Sequence, residues 1–349
     1  MTAAASHPHA DAAPPTVLAP WIASQTAELL AQRGHAWLLM GPSGLGQYRL
    51  ALELVRAWLC DHPSPSGACG QCGSCHAIAV RTHADLCVLM PETWMMGLGW
   101  PLSERAQAEI DDKKRKPSKE IRIDAMRDAV EFSQRTSARG QGKAVLVFPA
   151  ENMNHITANA LLKTLEEPPG DVKFVLASES VQQLLPTIRS RCLGHTMRWP
   201  EASDSLQWLS SQGVSDLAAR QALLATGGRP QDALAFAQSG LDPKAWSGFS
   251  KAMARGDVAW VRDWSPTELL ATQQKLCHDL LARSVGAEPR YFAAADLIAG
   301  PSLSSLTQWS RVLSAQQRTI DHPFNTGLLL ESLVSQAQRV LSPSRSPGC

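Results

Sequence analysis

The run Gly41-Pro42-Ser43-Gly44-Leu45-Gly46-Gln47-Tyr48 constrains this chain more than any other stretch. It follows an apolar segment, Ala36-Trp37-Leu38-Leu39-Met40, and precedes a helical pattern from Arg49 to Trp58. A strand, a glycine-rich turn and a helix form the setting of a phosphate-binding P-loop, G-x-x-x-x-G-K-[ST]. Gly41 and Gly46 stand at the required spacing. Gln47 stands where a lysine should reach the terminal phosphates, and Tyr48 where a small hydroxyl should hold Mg²⁺. An amide sets no charge against a phosphate, and a phenol is too large for that ligand position. The pattern reads as the scaffold of a nucleotide site without its chemistry. The plainer alternative is a strand–turn–helix that merely holds glycines.

A chain of 349 residues has room for two or three domains. Its formal net charge of +1 argues against a surface coated in basic charge, so any nucleic-acid contact needs a local patch. No apolar run approaches the ~18 residues that span a bilayer. Residues 1–15 lack the charged start and apolar middle of a signal peptide. A cytoplasmic location is expected, where thiols stay reduced.

In that setting, clustered cysteines point to metal before disulfides. Cys60, Cys69, Cys72 and Cys75 are spaced C-x8-C-x2-C-x2-C, with Gly67, Gly70 and Gly73 among them. Four thiolates so close can close a tetrahedral Zn²⁺ shell, which is structural because no coordination position is left for a reacting water. The alternatives are unliganded thiols in a loop or, less in keeping with the compartment, disulfides. His62, His76 and His83 lie nearby but read as solvated or capping residues, and Cys87 as a core thiol.

The remaining pattern alternates strands and helices up to Trp199. Strands are expected at Asp85–Met90, Ala144–Phe148 and Phe174–Ala177, and helices at Pro20–Arg33, Ile121–Gln134 and over Ala158–Leu165. Such alternation implies an α/β fold, a parallel sheet with helices on both faces. Residues 91–119 read as an irregular, mobile insertion whose basic run, Lys113 to Lys116, is a solvated loop or a phosphate-backbone contact. In an active ATPase the strand ending at Phe148 would lead to an aspartate that organises Mg²⁺. Pro149 takes that place, and Glu151 is expected to favour the N-terminus of the next helix. After Trp199 only helical patterns follow, broken by Gly and Pro as in a bundle.

Several segments together resemble the delta prime family of bacterial DNA polymerase III clamp-loader subunits, of the AAA+ class. They are Gly41–Tyr48, the four cysteines, Ala158–Pro169, Leu185–Cys192, and His322-Pro323-Phe324-Asn325 followed by Leu328-Leu329-Leu330-Glu331. The resemblance runs from Pro20 to about Val340. It implies an AAA+ RecA-like domain at 20–197 with a zinc-binding insertion at 60–75, a helical lid at 198–240 and a helical collar at 241–341, between a disordered tail at 1–19 and a flexible tail at 342–349 that the residues themselves suggest. It also implies a hetero-oligomeric ring with gamma/tau ATPase subunits and a delta subunit, which loads a sliding clamp onto primed DNA. No ATP binding is expected at the degenerate loop.

Within that resemblance Arg191 matches an arginine finger that serves a neighbour's ATP. A guanidinium is always charged, planar and able to fork onto phosphate oxygens. From the residues alone, Arg191 is an arginine near a helix end, interacting with backbone carbonyls. Arg189 reads as structural. Arg229, after two glycines, matches the place of a nucleotide-sensing arginine. Two other classes of function compete: an active gamma/tau-like ATPase with an unusual loop, and a zinc-dependent nucleic-acid module. Gln47, Tyr48 and Pro149 together count against the first, and near-neutral charge with a closed cysteine shell weakens the second.

Overall fold

A computed structural model describes residues 17–239, 243–299, 301–320, 322 and 325–342. Residues 1–16 of the tail expected at 1–19, residues 343–349 of the tail expected at 342–349, with Cys349, and Pro323-Phe324 of the C-terminal segment lie outside the described residues. The chain divides into two compact units, one up to Gln212 and one from Gly213 onward.

The first unit is built on five parallel strands: β1 (Ala36–Met40), β2 (Leu86–Leu89), β3 (Lys143–Val147), β4 (Val172–Ser178) and β5 (Leu193–Thr196), in spatial order β2-β3-β4-β1-β5. Leu38 pairs with Leu176, Val145 with Phe174 and Val88 with Leu146. The central strands are mostly apolar, Ala36–Met40 throughout and Ala144–Val147 and Phe174–Ala177 within β3 and β4, because both faces are covered. Leu38, Val145, Val147, Phe174 and Leu176 share one core with residues of α6 (Ile123–Gln134), α7 (His155–Glu166) and α8 (Pro186–Arg189). Helix α2 (Gln47–Leu59) lies against β3 and β4, with α1 (Pro20–Leu30) packed on it.

Three features depart from the sequence expectation. β5 was not anticipated: Leu193-Gly194-His195-Thr196 is short and largely exposed, the signature of an edge strand rather than a buried one. Residues 91–119 are not irregular throughout. They hold α4 (Glu92–Gly97) and α5 (Glu104–Asp111), and the start of α5 is capped by the Ser103 hydroxyl. Arg115, from the basic run, forks onto Glu92 at 2.5 and 2.7 Å and reaches Glu109 at 2.7 Å, so it ties the segment together. Third, the cysteine segment contains α3 (Gly73–Ala79).

Helix α9 (Ala202–Ser211) also belongs to this unit. Trp208 meets Trp21 edge-on at 5.3 Å and donates its indole N–H to the Val17 carbonyl at 3.1 Å. Residues 17–19, read as tail, are thereby held, and Ala19 is buried.

The second unit is helical: α10 (Asp216–Ala225), α11 (Pro230–Gln238), α12 (Pro243–Arg255), α13 (Pro266–Ser284), α14 (Leu303–Gln316) and α15 (Thr326–Leu341). Helix α13 starts with a capping box, Ser265 with Glu268, and Pro266 in its first turn. Its Leu269, Leu270, Leu276 and Leu280 are buried, each stabilising by roughly 1.5–3 kcal/mol. Buried Asp279 accepts hydrogen bonds from the backbone N–H groups of Arg290, Tyr291 and Phe292 at 2.7–2.9 Å, which fixes the loop after α13. Among the described residues no helix is long and apolar enough to cross a membrane.

Candidate functional site

The glycine turn sits where the parallel strands end. Gly44 and Gly46 take φ of 80° and 99°, left-handed values that glycine adopts without a side-chain clash. At Gly41 a Cβ would stand 2.9 Å from the Met197 Cβ, so the backbone approaches too closely for a side chain. The strand, the turn with left-handed glycines and the helix after it stand where the sequence pattern puts them.

The turn's contents differ from a phosphate cradle. The Gln47 side chain folds into the turn, and its amide donates to the carbonyls of Gly41 and Pro42 at 2.7 and 2.6 Å. Both amide hydrogens are spent on the loop's own backbone, and Gln47 is 2 % exposed. Trp21 adds an indole N–H to the Leu45 carbonyl at 3.1 Å. The turn is tied shut by neutral groups.

Next to it stands an aromatic cluster. The Tyr48 ring stacks on Phe148 at 5.5 Å, and Trp94 meets Phe148 edge-on at 5.1 Å. The Tyr48 hydroxyl accepts from the Trp100 indole at 2.7 Å. Burial pushes the Tyr48 phenol above its usual range, only partly offset by that hydrogen bond and by Arg81 and Arg49. A neutral, engaged phenol packed on rings offers nothing for Mg²⁺. Trp94 and Trp100 escaped the sequence reading because they lie in the segment read as irregular.

Glu151 does not serve the next helix. Asn154 caps α7, its side chain accepting from the Thr157 N–H at 3.0 Å. The Glu151 carboxylate instead accepts from the Glu179 N–H at 2.9 Å, beyond the end of β4. Asn154 won because its short side chain reaches the third N–H of the helix, the usual cap geometry. Burial raises the Glu151 pKa above the ordinary carboxylate value.

The four cysteines converge after α2. Their sulfurs all lie within 4.8 Å of one another. Cys60 Sγ is 3.5 Å from Cys69, 3.7 Å from Cys72 and 3.7 Å from Cys75. Disulfides bond at about 2.05 Å and are thereby excluded. A tetrahedron with Zn–S near 2.3 Å separates its sulfurs by about 3.8 Å, so the spacing fits such an ion. Backbone N–H groups of Asp61 and Cys75 point at Cys72 Sγ, and those of His62 and Cys69 at Cys60 Sγ, all at 3.3–3.4 Å. Donors aimed at sulfur favour the thiolate form that a metal requires. Asp61 accepts from the Ser74 hydroxyl at 2.6 Å and pairs with Arg139, bracing the knuckle. The group that could hold a metal consists of these four cysteines, without His62, His76 or His83.

Arg191 follows α8 and is partly exposed. Its Nε and Nη2 both donate to one oxygen of Glu166, at 3.0 and 2.9 Å, and its Nη1 donates to the Thr187 carbonyl at 3.0 Å. Arg189, two residues earlier, is exposed and has no side-chain hydrogen bond or ion pair among the described residues. In the helical unit, Arg229 donates to the Thr226 carbonyl at 2.8 Å and pairs with Asp232 at 3.1 Å. Lys275 and Arg290 reach the neighbouring carbonyls, Ala225 and Gly227, at 2.9 and 3.1 Å. Three cations thus fan onto the C-terminal end of α10, where the helix dipole is negative.

The sheet brings Gly41–Tyr48, Phe148 and Glu151 to one edge. The cysteine knuckle and Arg191 stand apart from that cluster as separate groups. Glu166, which grips Arg191, was read only as the end of a helix. A partner 25 residues away leaves no spacing signal.

Comparison with known proteins agrees with this layout. The chain is 42% identical over 193 residues to the DNA polymerase III subunit delta' of Pseudomonas aeruginosa, covering 55% of this chain and 52% of that one. It is 32% identical over 265 residues to the delta' subunit of Haemophilus influenzae, covering 73% and 71% respectively. The match thus spans about half the length of the first relative and over two thirds of the second. A gamma subunit-related protein of DNA polymerase III from Thermotoga maritima aligns over 91% of this chain and 99% of its own, with 18% identity and a TM-score of 0.49, too weak a likeness to build on. A family model described as DNA polymerase III, delta subunit, matches residues 24–200. With half its length under that model and delta' subunits among its relatives, the chain belongs to this DNA polymerase III family.

Proposed function

We propose that this protein is a non-hydrolysing AAA+ subunit of a DNA polymerase III clamp loader. It works with gamma/tau ATPase subunits and a delta subunit to place a sliding clamp on primed DNA, in the cytoplasm. Residues 198–240 serve as lid and 241–341 as collar. Arg191 acts in trans on ATP held by a neighbour, and Cys60, Cys69, Cys72 and Cys75 hold a structural Zn²⁺.

One observation carries this reading. The Gln47 amide fills its own turn, with Tyr48 stacked on Phe148 beside it. A triphosphate entering there would have to displace two hydrogen bonds of the buried Gln47 side chain, each worth about 0.5–1.5 kcal/mol, with no lysine at position 47 to compensate. Clamp loading needs ATP, so the subunit takes its share of the reaction through what it offers a neighbour. The cysteine knuckle supplies rigidity, since a closed sulfur shell leaves no position for a reacting group.

The test is calorimetric titration of the isolated protein with Mg-ATP, together with steady-state hydrolysis. No binding and no turnover are expected. Tight binding with turnover by the lone chain would overturn the reading in favour of an active ATPase.

A further inference from the structure

Five N–H groups decorate an arginine guanidinium. In Arg191 the Nε–H and one Nη2–H converge on a single Glu166 oxygen, and one Nη1–H goes to the Thr187 carbonyl. The Nη1 group also makes a longer contact to the Ser190 hydroxyl at 3.5 Å, which leaves one hydrogen on Nη2 without a partner. A planar group held by three bonds from two directions has lost its freedom to swing. Arg191 is also the less exposed partner, at 30% against 60% for Glu166, so its orientation is set from the protein side. Glu166 is the last residue of α7, and Pro168-Pro169 follow one residue later, which ends the helix there. Arg189, on the adjoining turn, has no comparable grip.

We infer that Glu166 is the positioning residue for Arg191: it holds one side of the guanidinium so that the unspent Nη2–H, beside an Nη1 held only by a long contact to Ser190 and by Thr187, is left to meet a phosphate on a neighbouring subunit. This rests on the trans-acting role proposed above. A carboxylate could instead compete with phosphate and hold the arginine back. The geometry favours positioning, because both carboxylate contacts go to one oxygen and leave an Nη2–H unspent. An arginine already oriented loses less freedom when it meets its phosphate, which speeds the step that it assists.

The experiment measures ATP turnover in the reconstituted clamp loader with four versions of this subunit: wild type, Glu166→Ala, Arg191→Ala and the double variant. Glu166→Ala is expected to lower kcat about tenfold with KM for ATP unchanged, and the double variant to match Arg191→Ala. Glu166→Gln retains a carbonyl oxygen that can accept both donors, so it should recover most of the rate. A merely structural role would lower the rate further in the Arg191→Ala background. An unchanged or faster rate for Glu166→Ala, with Arg191→Ala still slow, would overturn the positioning role and leave the trans-acting role standing. An unchanged rate for Arg191→Ala would remove both.

Discussion

The Tyr48 phenol oxygen accepts a hydrogen bond from the Trp100 indole at 2.7 Å, across 52 residues of sequence. This contact links the first helical turn after the glycine loop to the segment between β2 and α5. It occupies the hydroxyl that a metal site would need. Removing it in Tyr48→Phe leaves the buried Trp100 N–H without its acceptor. The expected loss is about 1–3 kcal/mol, seen as a lower urea midpoint with unchanged slope. Mg-ATP binding should not appear, since the rings still fill the space. A variant as stable as wild type would mean that the bond contributes nothing net.

The cysteine knuckle should carry one metal ion per chain. Cys72→Ser replaces a soft ligand that also caps α3, accepting from the Cys75 N–H at 3.4 Å. Metal content, measured by atomic emission on purified protein, should fall well below one equivalent. Proteolysis should then begin within residues 60–79, while far-UV circular dichroism stays close to wild type. Full metal retention in the variant would argue against a four-sulfur shell.

Glu151 should show a pH-dependent cost. Its folded-state pKa is raised, chiefly by burial, so the charged form is disfavoured in the fold. The sign follows: stability is greatest below the unfolded-state pKa and falls as pH rises from there to the folded-state value. Glu151→Gln keeps an oxygen to accept from Glu179 N–H and removes the charge. It should raise the melting temperature at pH 7.5 relative to wild type, with the gap closing towards pH 4. A gap that widens as the pH falls would contradict the burial argument.

Arg229 should act on stability and on a neighbour's proton. Arg229→Ala removes a donor to the Thr226 carbonyl and the pair with Asp232, at a cost of about 1 kcal/mol. Lys275 has a pKa lowered to about 8, mostly by burial and further by Arg229. Losing Arg229 should therefore raise the Lys275 pKa while burial keeps it below the free lysine value. Isotope-edited NMR of a single labelled lysine reads this directly. A downward shift would show that the neighbouring charge had been assigned the wrong sign.

The parts of this molecule legible in the sequence are those set by near neighbours. The strand before Gly41 and the helix after it follow from an apolar run and a helical pattern, and both are where the pattern puts them. The four cysteines are within sixteen residues, so their meeting is a short-range event. The short edge strand β5 and helices α4 and α5 were missed for a matching reason. β5 is polar and half-open to solvent, and α4 and α5 are short helices steadied by the long-range grip of Arg115 on Glu92. Glu151 was misplaced because a carboxylate near a helix start looks like a dipole partner until the competing Asn154 cap is seen.

Sequence alone determined that a G-x-x-x-x-G turn carries Gln47 and Tyr48 in place of a lysine and a small hydroxyl, and that Pro149 follows the β3 strand, because those are identities at fixed positions. Only the tertiary structure decided where the replacements went: Gln47 into its own loop, Tyr48 against Phe148 and Trp100, and Arg191 onto Glu166. Those contacts depend on which strand ends and helix termini the parallel sheet brings side by side, and the most distant join residues that no local pattern connects.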